Sequence, residues 1–239
     1  RTNKMHGRAR IIDVKVEKLR KQIKKGVVPV ITGFQGMNDE GDITTLGRGG
    51  SDTTGVAIAV ALGADECQIF TDVDGVFTTD PRICSKARLL NQVSFDEMLE
   101  LSSTGAKVLQ LRAVEYASKN QMPIRVLSSF SESSGTLVEE KEEMERPVVS
   151  GISSTDNEAK LTIRGVPDLP GVAAKILSPV SDSGIDVDVI VQNIGAENTT
   201  DFTFTVNQND AASAEEILRN TSKSLGGGSI EVDDDIAEI

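Results

Sequence analysis

Residues 44–54 read TTLGRGGSDTT, and this stretch decides the fold of the first half of the chain. It leads into VAIAVALGA at 56–64, which is apolar on nearly every side and predicts a well-buried helix that begins near Ser51. The three glycines allow positive φ values and a close approach of the backbone to a ligand. We therefore expect a ligand-binding turn between a strand and a buried helix.

The chemistry of this turn favours an anion. The first amides of a helix have no partner within the helix and attract negative charge. Arg48 adds a planar guanidinium, which suits a carboxylate or a phosphate. In the alternative interpretation, Ser51 or Asp52 is an ordinary N-cap and the glycines form a simple turn.

Strand and helix patterns alternate on both sides of this turn. Ser94 followed by Glu97 is the pattern of a capping box. The predicted elements are a strand at 27–33, a strand at 67–71, a helix opening at Ser94, a helix over 106–119 and a strand at 124–128. This alternation predicts an α/β fold with a parallel sheet, right-handed crossovers and helices on both faces.

The composition changes at 139–147, where EEKEEMERP predicts a linker. The pattern beyond it is typical of a ferredoxin-like α+β fold, with elements at 159–165, 171–182, 185–192, 201–207, 211–224 and 229–232 in the order βαββαβ. The predicted parts are an α/β domain at 1–138, the linker at 139–147 and an α+β region at 148–239. The ferredoxin-like sheet has one uncovered face, so we expect it to pair with a second such unit.

Composition excludes several classes of function. The 239 residues include 25 Lys and Arg against 37 Asp and Glu, and the net charge of −12 argues against nucleic-acid or anionic-membrane binding. No apolar run approaches the roughly 20 residues that span a bilayer. Cys67 and Cys84 are too few for a disulfide framework and fit a reducing cytoplasm. The single histidine, His6, excludes a histidine-rich metal site and argues against a histidine-based catalytic triad. We predict no resident metal site.

Residues 71–82 read TDVDGVFTTDPR and follow a predicted strand at its carboxyl end, where open α/β sheets bind ligands. Asp72, Asp74 and Asp80 suggest calcium, but the final Glu of an EF-hand loop is missing. The alternative is a solvated acidic turn. Residues 105–107 open a predicted helix and end in a lysine that is either a phosphate ligand or a surface residue.

A further signal lies in the second region at 166–171, which reads VPDLPG and precedes a predicted helix. Asp168 can cap that helix, and Pro170 suits its first turn. The free amides there suit the carboxylate of a small ligand. Gln192 and Asn193 end the next strand and suit an amino group.

Several of these stretches resemble the amino-acid-kinase domain of aspartokinases. They are GFQG at 33–36, the glycine-rich stretch at 44–54, the acidic stretch at 71–82 and GAKVL at 105–109. Residues 159–232 resemble the first ACT domain of the same enzymes. The VDGV and TDP elements also occur in kinases of uridylate and glutamate, whereas GRGGSDTT and the ACT domain make the resemblance specific.

The resemblance implies phosphoryl transfer from ATP, with Mg2+, to the β-carboxylate of L-aspartate, giving 4-phospho-L-aspartate on the route to lysine, threonine and methionine. The aspartate-side residues it implies are Phe34, Arg48, Ser51 and Asp52. Arg48 would bind a substrate carboxylate, and Asp52 would organise the reacting groups by orienting lysines around the phosphates. The nucleotide-side residues it implies are Thr71, Asp72, Phe77, Arg82 and Lys107.

The resemblance also implies feedback regulation by lysine or threonine at an interface between ACT domains, and hence a homo-oligomer. The matching effector positions are Asp168, Leu169, Pro170, Gly171, Val172, Ala173, Asp186, Val187, Asp188, Gln192 and Asn193.

One departure limits the resemblance. Aspartokinases carry a KFGG-type motif whose lysine meets the transferred phosphate, and this chain has none. We therefore expect the start of the kinase domain upstream of residue 1, a second ACT repeat after residue 239, and negligible kinase activity for residues 1–239 alone. The alternatives are a glutamate or nucleotide kinase of the same fold and a non-catalytic, amino-acid-sensing subunit.

Overall fold

The computed structural model describes residues 1–106, 108–140, 149–195, 198–226 and 228–239. The chain divides into two compact units, Arg1–Ser153 and Ser154–Ile239. Most of the predicted linker at 139–147 lies outside the described residues, as does Lys107.

The first unit contains a hairpin and a four-stranded sheet with helices packed around them. Its elements are α1 (Glu17–Ile23), β1 (Gln35–Met37), β2 (Ile43–Thr45), α2 (Gly50–Leu62), β3 (Cys67–Thr71), β4 (Gln92–Ser94), α3 (Phe95–Ser103), α4 (Leu111–Lys119), β5 (Ile124–Ser128) and β6 (Thr136–Glu139). The hairpin pairs β1 with β2, and the larger sheet has the order β3-β5-β6-β4.

The larger sheet is mixed, which corrects the prediction of a parallel sheet. The pairs β3–β5 and β4–β6 are parallel, but β5 and β6 are antiparallel. The connection between β5 and β6 spans only 129–135, which is too short for the crossover of about a dozen residues that a parallel pair needs. The sequence pattern did not reveal β6, so this reversal of direction was missed.

Three local predictions are confirmed. The strand at 67–71 and the strand at 124–128 form β3 and β5 as expected. The capping box is present, since the Ser94 hydroxyl accepts the Glu97 N–H and the Glu97 carboxylate accepts the Ser94 N–H at 2.8 Å.

The strand predicted at 27–33 is wrong. These residues are in irregular structure, and Val28 and Val30 are 85% and 98% exposed. A strand needs a neighbour to satisfy its backbone donors and acceptors. None of the strands in the described residues pairs with this segment, and Pro29 has no N–H to offer.

The helix predicted over 106–119 begins later than expected. In the structure α4 starts at Leu111, because Gln110 is its N-cap with extended backbone angles, φ −75° and ψ 129°. The helix then presents Ala113, Val114 and Ala117 to the core, where all three are fully buried. Helix α4 packs against α2, which places its first turn beside the turn at 46–49.

The second unit has the predicted βαββαβ order and is a ferredoxin-like fold. Its elements are β7 (Thr155–Pro167), α5 (Val172–Asp182), β8 (Val187–Ile194), β9 (Thr199–Asn207), a 3₁₀ helix (Gln208–Asp210), α6 (Ala211–Ser224) and β10 (Ile230–Glu238). The sheet order is β10-β7-β9-β8, and all its pairs are antiparallel.

The two faces of this sheet differ in chemistry. Leu161 and Phe204 are fully buried in a core shared with the helices. On the uncovered face, the Arg164 guanidinium donates to the Glu231 carboxylate at 2.7 and 2.8 Å, and Lys160 donates to a further carboxylate. These charged groups are paired within the face, and Val191 lies on the same face opposite Thr203 and is 43% exposed. Pairing of this face with a second such unit stays a prediction.

Glu158 generates a prediction about stability. Burial raises the pKa of this carboxyl, and the negative charges of Glu238 and Asp188 raise it further. The folded state therefore binds this proton more tightly than the unfolded chain, so the ionised group reduces stability once the pH exceeds the ordinary glutamate pKa.

We expect Glu158→Gln to raise the midpoint of thermal unfolding at pH 7, with a gain that shrinks toward pH 4. Glu231→Gln is the matched control, because hydrogen bonding to Arg164 lowers the pKa of Glu231 and its ionised form does not reduce stability. Differential scanning calorimetry across this pH range measures both variants. A midpoint for Glu158→Gln that equals the wild-type value at pH 7 contradicts the prediction.

Candidate functional site

Helix α2 begins without a side-chain cap. Its N-cap is Gly49, in the left-handed region at φ 68°, so the interpretation of Ser51 or Asp52 as the N-cap is wrong. The Gly50 N–H donates to the Gly47 carbonyl, but the N–H groups of Ser51 and Asp52 have no acceptor among the described residues. Two free amides and the positive end of the helix dipole therefore face the same space.

Arg48 lies within the glycine loop, which we define as residues 46–49. Its side chain is exposed and has neither a hydrogen bond nor an ion pair within the described part of the chain. Its neighbours Gly47 and Gly49 have φ values of 85° and 68°, and a Cβ at Gly47 would lie 2.7 Å from the Gly7 carbonyl oxygen. The guanidinium is thus available to a ligand on a backbone path that only glycine follows without strain.

Phe34 also has a left-handed backbone, at φ 71°, which is uncommon for a bulky residue. Two hydrogen bonds hold it: its N–H donates to the Thr54 hydroxyl at 3.2 Å, and its carbonyl accepts the Leu46 N–H at 2.9 Å. A Cβ at Gly50 would lie 3.2 Å from the Phe34 ring. The structure therefore brings Phe34 against the start of α2, beside the glycine loop.

Asp52 is partly buried at the third position of α2. Its carboxylate accepts the backbone N–H of Gln110, the N-cap of α4; burial raises the pKa of Asp52 and this hydrogen bond lowers it. The nearby Cys67 thiol has its pKa raised to about 11, mainly by burial and then by the charge of Asp52. Cys67 is therefore an inert thiol. The hydrogen bond between Asp52 and Gln110 joins the start of α2 to the start of α4.

The predicted nucleotide-side residues follow β3. Thr71 ends this strand, and its carbonyl accepts the Ser129 N–H at 2.8 Å, so the loops after the parallel strands β3 and β5 meet at their carboxyl ends. Asp72 accepts the Thr71 hydroxyl at 3.1 Å. Ligands commonly bind at this edge of an open α/β sheet.

Arg82 and Phe77 are placed differently from these residues. The Arg82 guanidinium donates to the Asp80 carboxylate at 2.7 Å, which lowers the pKa of Asp80. The Nε and Nη2 groups of Arg82 are thus used by Asp80, and the side chain is 85% exposed. Phe77 is half-buried and pairs with Leu89 in an isolated bridge.

Sequence reasoning missed Thr136, which supports the acidic loop (residues 72–86). This fully buried hydroxyl accepts the Val76 N–H at 2.8 Å and donates to the Leu90 carbonyl at 2.6 Å. A Cβ at Gly75 would lie 2.5 Å from it. A lone threonine in a strand carries no local signal, so only the fold could reveal this role.

The three aspartates that suggested calcium do not converge. Asp74 accepts the Ser131 hydroxyl, Asp80 pairs with Arg82, and Asp72 accepts the Thr71 hydroxyl. Within the described ranges, no group of three or more His, Cys, Asp or Glu could hold a metal ion. None of the described helices is long and apolar enough to cross a membrane.

A separate concavity of about 430 Å³ lies in the second unit, at the start of α5. It is lined by seven of the predicted effector residues: Asp168, Leu169, Pro170, Gly171, Val172, Ala173 and Gln192. The N-cap of α5 is Gly171, without a side-chain hydrogen bond, so Asp168 does not cap this helix and Pro170 precedes it.

The structure does not bring the other predicted effector residues to this concavity. Asn193 lines a cavity on the uncovered face of the sheet, because successive residues of a strand point to opposite faces. Asp186, Val187 and Asp188 do not line the concavity, and Asp188 contacts Glu238.

Family comparisons agree with this architecture. The model of the amino acid kinase family matches residues 2–128, and the model of the ACT domain matches residues 161–222. The chain belongs to the amino acid kinase family and carries an ACT domain. The resemblance to aspartokinases noted from the sequence motifs is confirmed.

Several relatives that match this chain are named aspartate kinase or aspartokinase. An aspartate kinase of Pseudomonas fluorescens is 57% identical over 240 residues, and an aspartokinase of Corynebacterium efficiens is 45% identical over 244 residues. Both matches cover the whole chain but only 58% of the relative. The chain also resembles E. coli aspartokinase III in complex with aspartate and ADP, with a TM-score of 0.78 and 30% identity, covering 99% of this chain and 54% of that one.

The glycine loop generates a prediction with an internal control. Gly49 and Gly63 flank the two ends of α2, and both have φ 68°. A Cβ at Gly49 would lie 2.6 Å from the Gln110 side chain, whereas a Cβ at Gly63 would meet nothing within 4 Å. We expect Gly63→Ala to cost about 1–2 kcal/mol of unfolding free energy from backbone strain.

Gly49→Ala should lower the free energy of unfolding by about 1–3 kcal/mol more than Gly63→Ala does, because overpacking against Gln110 adds to the same backbone strain. Urea unfolding with unchanged m values measures both costs. Equal losses in the two variants would show that Gln110 does not restrict the glycine loop.

Proposed function

We propose that the full-length protein carrying this chain is an aspartate kinase that transfers a phosphoryl group from ATP to the β-carboxylate of L-aspartate. The observation that carries the proposal is the arrangement at the start of α2. There Arg48 belongs to the loop that leads into α2, and neither its guanidinium nor the amides of Ser51 and Asp52 have a partner among the described residues. The exposed Phe34 packs against Gly50 at the start of the same helix. The relatives named aspartate kinase support the same substrate.

In this proposal the glycine loop holds the substrate. Arg48 binds one carboxylate of aspartate through two parallel hydrogen bonds, and the amides of Ser51 and Asp52 bind negative charge at the helix terminus. The substrate carboxylate is itself the nucleophile, so no histidine base is required. The protein contributes chiefly by positioning the substrates and neutralising charge.

ATP lies along the carboxyl ends of β3 and β5, with Thr71, Asp72, Phe77, Arg82 and Lys107 as its proposed contacts. The ADP complex of E. coli aspartokinase III supports nucleotide binding in this class. Mg2+ would neutralise charge on the phosphates when it is bound. We propose that this Mg2+ arrives with the nucleotide and that the Asp72 carboxylate directly after β3 is an oxygen donor suited to it.

A coupled assay for ADP production tests the proposal in the full-length protein. We expect ATP consumption with L-aspartate and none with L-glutamate or a nucleoside monophosphate. Turnover with glutamate or a nucleotide instead would favour another kinase of the same fold. Absence of turnover with all three, in a folded protein that binds amino acids, would favour a sensing subunit.

Arg48→Lys tests the residue that carries the proposal. Lysine keeps the charge but loses the bidentate geometry, so we expect the KM for aspartate to rise roughly 10- to 100-fold, as befits the loss of a charged hydrogen bond. The KM for ATP should be unchanged. Arg88→Lys is the control, since Arg88 is an exposed arginine whose side chain has no hydrogen bond in the described residues. An unaltered aspartate KM in Arg48→Lys would assign Arg48 no part in substrate binding.

The ACT unit is proposed to bind an amino-acid effector, lysine or threonine. The lysine complex of E. coli aspartokinase III supports this class of ligand. The amides of the first turn of α5 suit the effector carboxylate, while the Asp168 carboxylate and the Gln192 side-chain carbonyl suit its ammonium group. Inhibition requires the effector to bind a less active arrangement more tightly.

We propose that two copies associate through β8, which is an edge strand of its sheet. Val189, Ile190 and Val191 on it are 42%, 49% and 43% exposed, and a free edge offers unpaired backbone groups to a second strand. Val191 of this edge lies on the uncovered face of the sheet, opposite Thr203, so the proposed contact includes the face that the sequence analysis expects to pair. A cytoplasmic location and a place in lysine, threonine and methionine synthesis belong to the same proposal.

Gln192→Ala tests the effector site. In the full-length protein we expect kcat without effector to be nearly unchanged, and the effector concentration for half-inhibition to rise about tenfold, in line with the loss of one hydrogen bond to a charged group. Gln208→Ala, in the 3₁₀ helix outside the concavity, should behave like wild type. Full inhibition of Gln192→Ala at the wild-type effector concentration would place the effector elsewhere.

A further inference from the structure

Arg112 joins three distant parts of the first unit. It is the second residue of α4, and its guanidinium uses two different nitrogens. Nη1 donates to the Leu46 carbonyl at 2.8 Å, and Nη2 donates to the Ala9 carbonyl at 2.9 Å. Leu46 and Ala9 are 1% and 0% exposed, so both acceptors belong to a packed region.

The helix itself does not explain an arginine at this position. The N-terminus of a helix carries a partial positive charge, which disfavours a cation in the first turn. The guanidinium is instead explained by its shape, because a planar fork presents donors in two directions, whereas a lysine ammonium presents all its donors from one nitrogen. An arginine at this position is therefore explained by the carbonyls of Leu46 and Ala9 and not by its place in the first turn of the helix.

The Leu46 carbonyl is the last backbone acceptor before the glycines of the loop. The N–H of Leu46 donates to the Phe34 carbonyl at 2.9 Å, so Phe34 and Arg112 together bind both polar backbone groups of Leu46. The Ala9 N–H donates to the Thr45 carbonyl at 2.9 Å, which closes the network on the other side. One network therefore fixes the backbone of Phe34 and the starting point of the loop that carries Arg48.

The start of α4 also supports the other end of the loop. The Gln110 N–H donates to Asp52, and the Gln110 side chain fills the space beside Gly49. Gln110 and Arg112 therefore contact the loop after and before Arg48, respectively. A shift of Leu46 would move Arg48 relative to the amides of α2.

We propose that Arg112 is a positioning residue for substrate binding: it holds the Leu46 carbonyl so that Arg48 and the first amides of α2 face the same carboxylate. It touches no substrate and acts through the glycine loop. This inference rests on the proposed aspartate kinase function, and it concerns aspartate and not the nucleotide.

Kinetics of the full-length protein separate positioning from a general structural role. We expect Arg112→Lys to raise the aspartate KM about 10- to 100-fold, the scale of effect of a misplaced binding group, while the ATP KM stays at the wild-type value. Arg112→Ala should show the same pattern, and added guanidinium ion should partly restore its aspartate KM. Arg125→Lys is the control, because Arg125 is a partly buried arginine whose hydrogen bonds go to Glu66.

Amide hydrogen exchange tests the same inference without relying on activity. In Arg112→Lys we expect faster exchange at Leu46 and Gly50, whose N–H groups donate to the Phe34 and Gly47 carbonyls, and unchanged exchange in β3 and β5. If the wild-type protein consumed no ATP with aspartate, the proposed function would fail, and the exchange result would still decide the role of Arg112.

Two results would overturn the inference. One is wild-type exchange at Leu46 and Gly50 together with a wild-type aspartate KM in folded Arg112→Lys. The other is an equal rise in the KM values for aspartate and ATP, which would indicate a general structural role. If Arg112→Lys did not fold, NMR of the ¹⁵N-labelled arginine side chains in the wild-type protein would test the hydrogen bonds of Arg112. Slow exchange of the Arg112 Nη protons supports the hydrogen bonds to Leu46 and Ala9, and fast exchange excludes them.

Discussion

The left-handed backbone at the start of α2 is the constraint on which the proposed substrate site depends. Gly47 and Gly49 have φ values of 85° and 68°, and Phe34 has a φ of 71°. Arg48, between the two glycines, is exposed, and the N–H groups of Ser51 and Asp52 have no acceptor among the described residues. Since a side chain on either glycine would meet the Gly7 carbonyl or the Gln110 side chain, packing around the loop fixes the same conformation that the glycines permit.

The elements around the proposed site were predictable from sequence where their signals are local. Three glycines, an arginine and a helix start lie within 44–54, although distant residues hold this loop in place. The capping box of Ser94 and Glu97 and the βαββαβ order of the second unit are likewise local patterns. The capping box and the order of elements were predicted correctly because propensity, capping and periodicity agree at these places.

The features that sequence reasoning missed depend on long-range contacts. The β5–β6 reversal requires a strand at 136–139, and the irregular segment at 27–33 has strand propensity without a strand partner among the described residues. Thr136 lies against Gly75, which is 61 positions away in the sequence. Arg112 donates to the Leu46 carbonyl, which is 66 positions away. A single polar residue in a strand or in the first turn of a helix has no spacing that reveals such a partner. Gln192 and Asn193 are neighbours in one strand, so their side chains point to opposite faces of the sheet and line different cavities. The sequence prediction placed both at one effector site because it did not take this alternation into account.

The most direct test of the central claim is amide exchange at Ser51 and Asp52, resolved by NMR in the full-length protein. The two amides lie at the start of α2 with no acceptor in the described residues. With saturating L-aspartate, and occupancy verified by calorimetry, the account predicts slower exchange at both amides than in the free protein. Unchanged exchange at both amides, with aspartate bound, would contradict it.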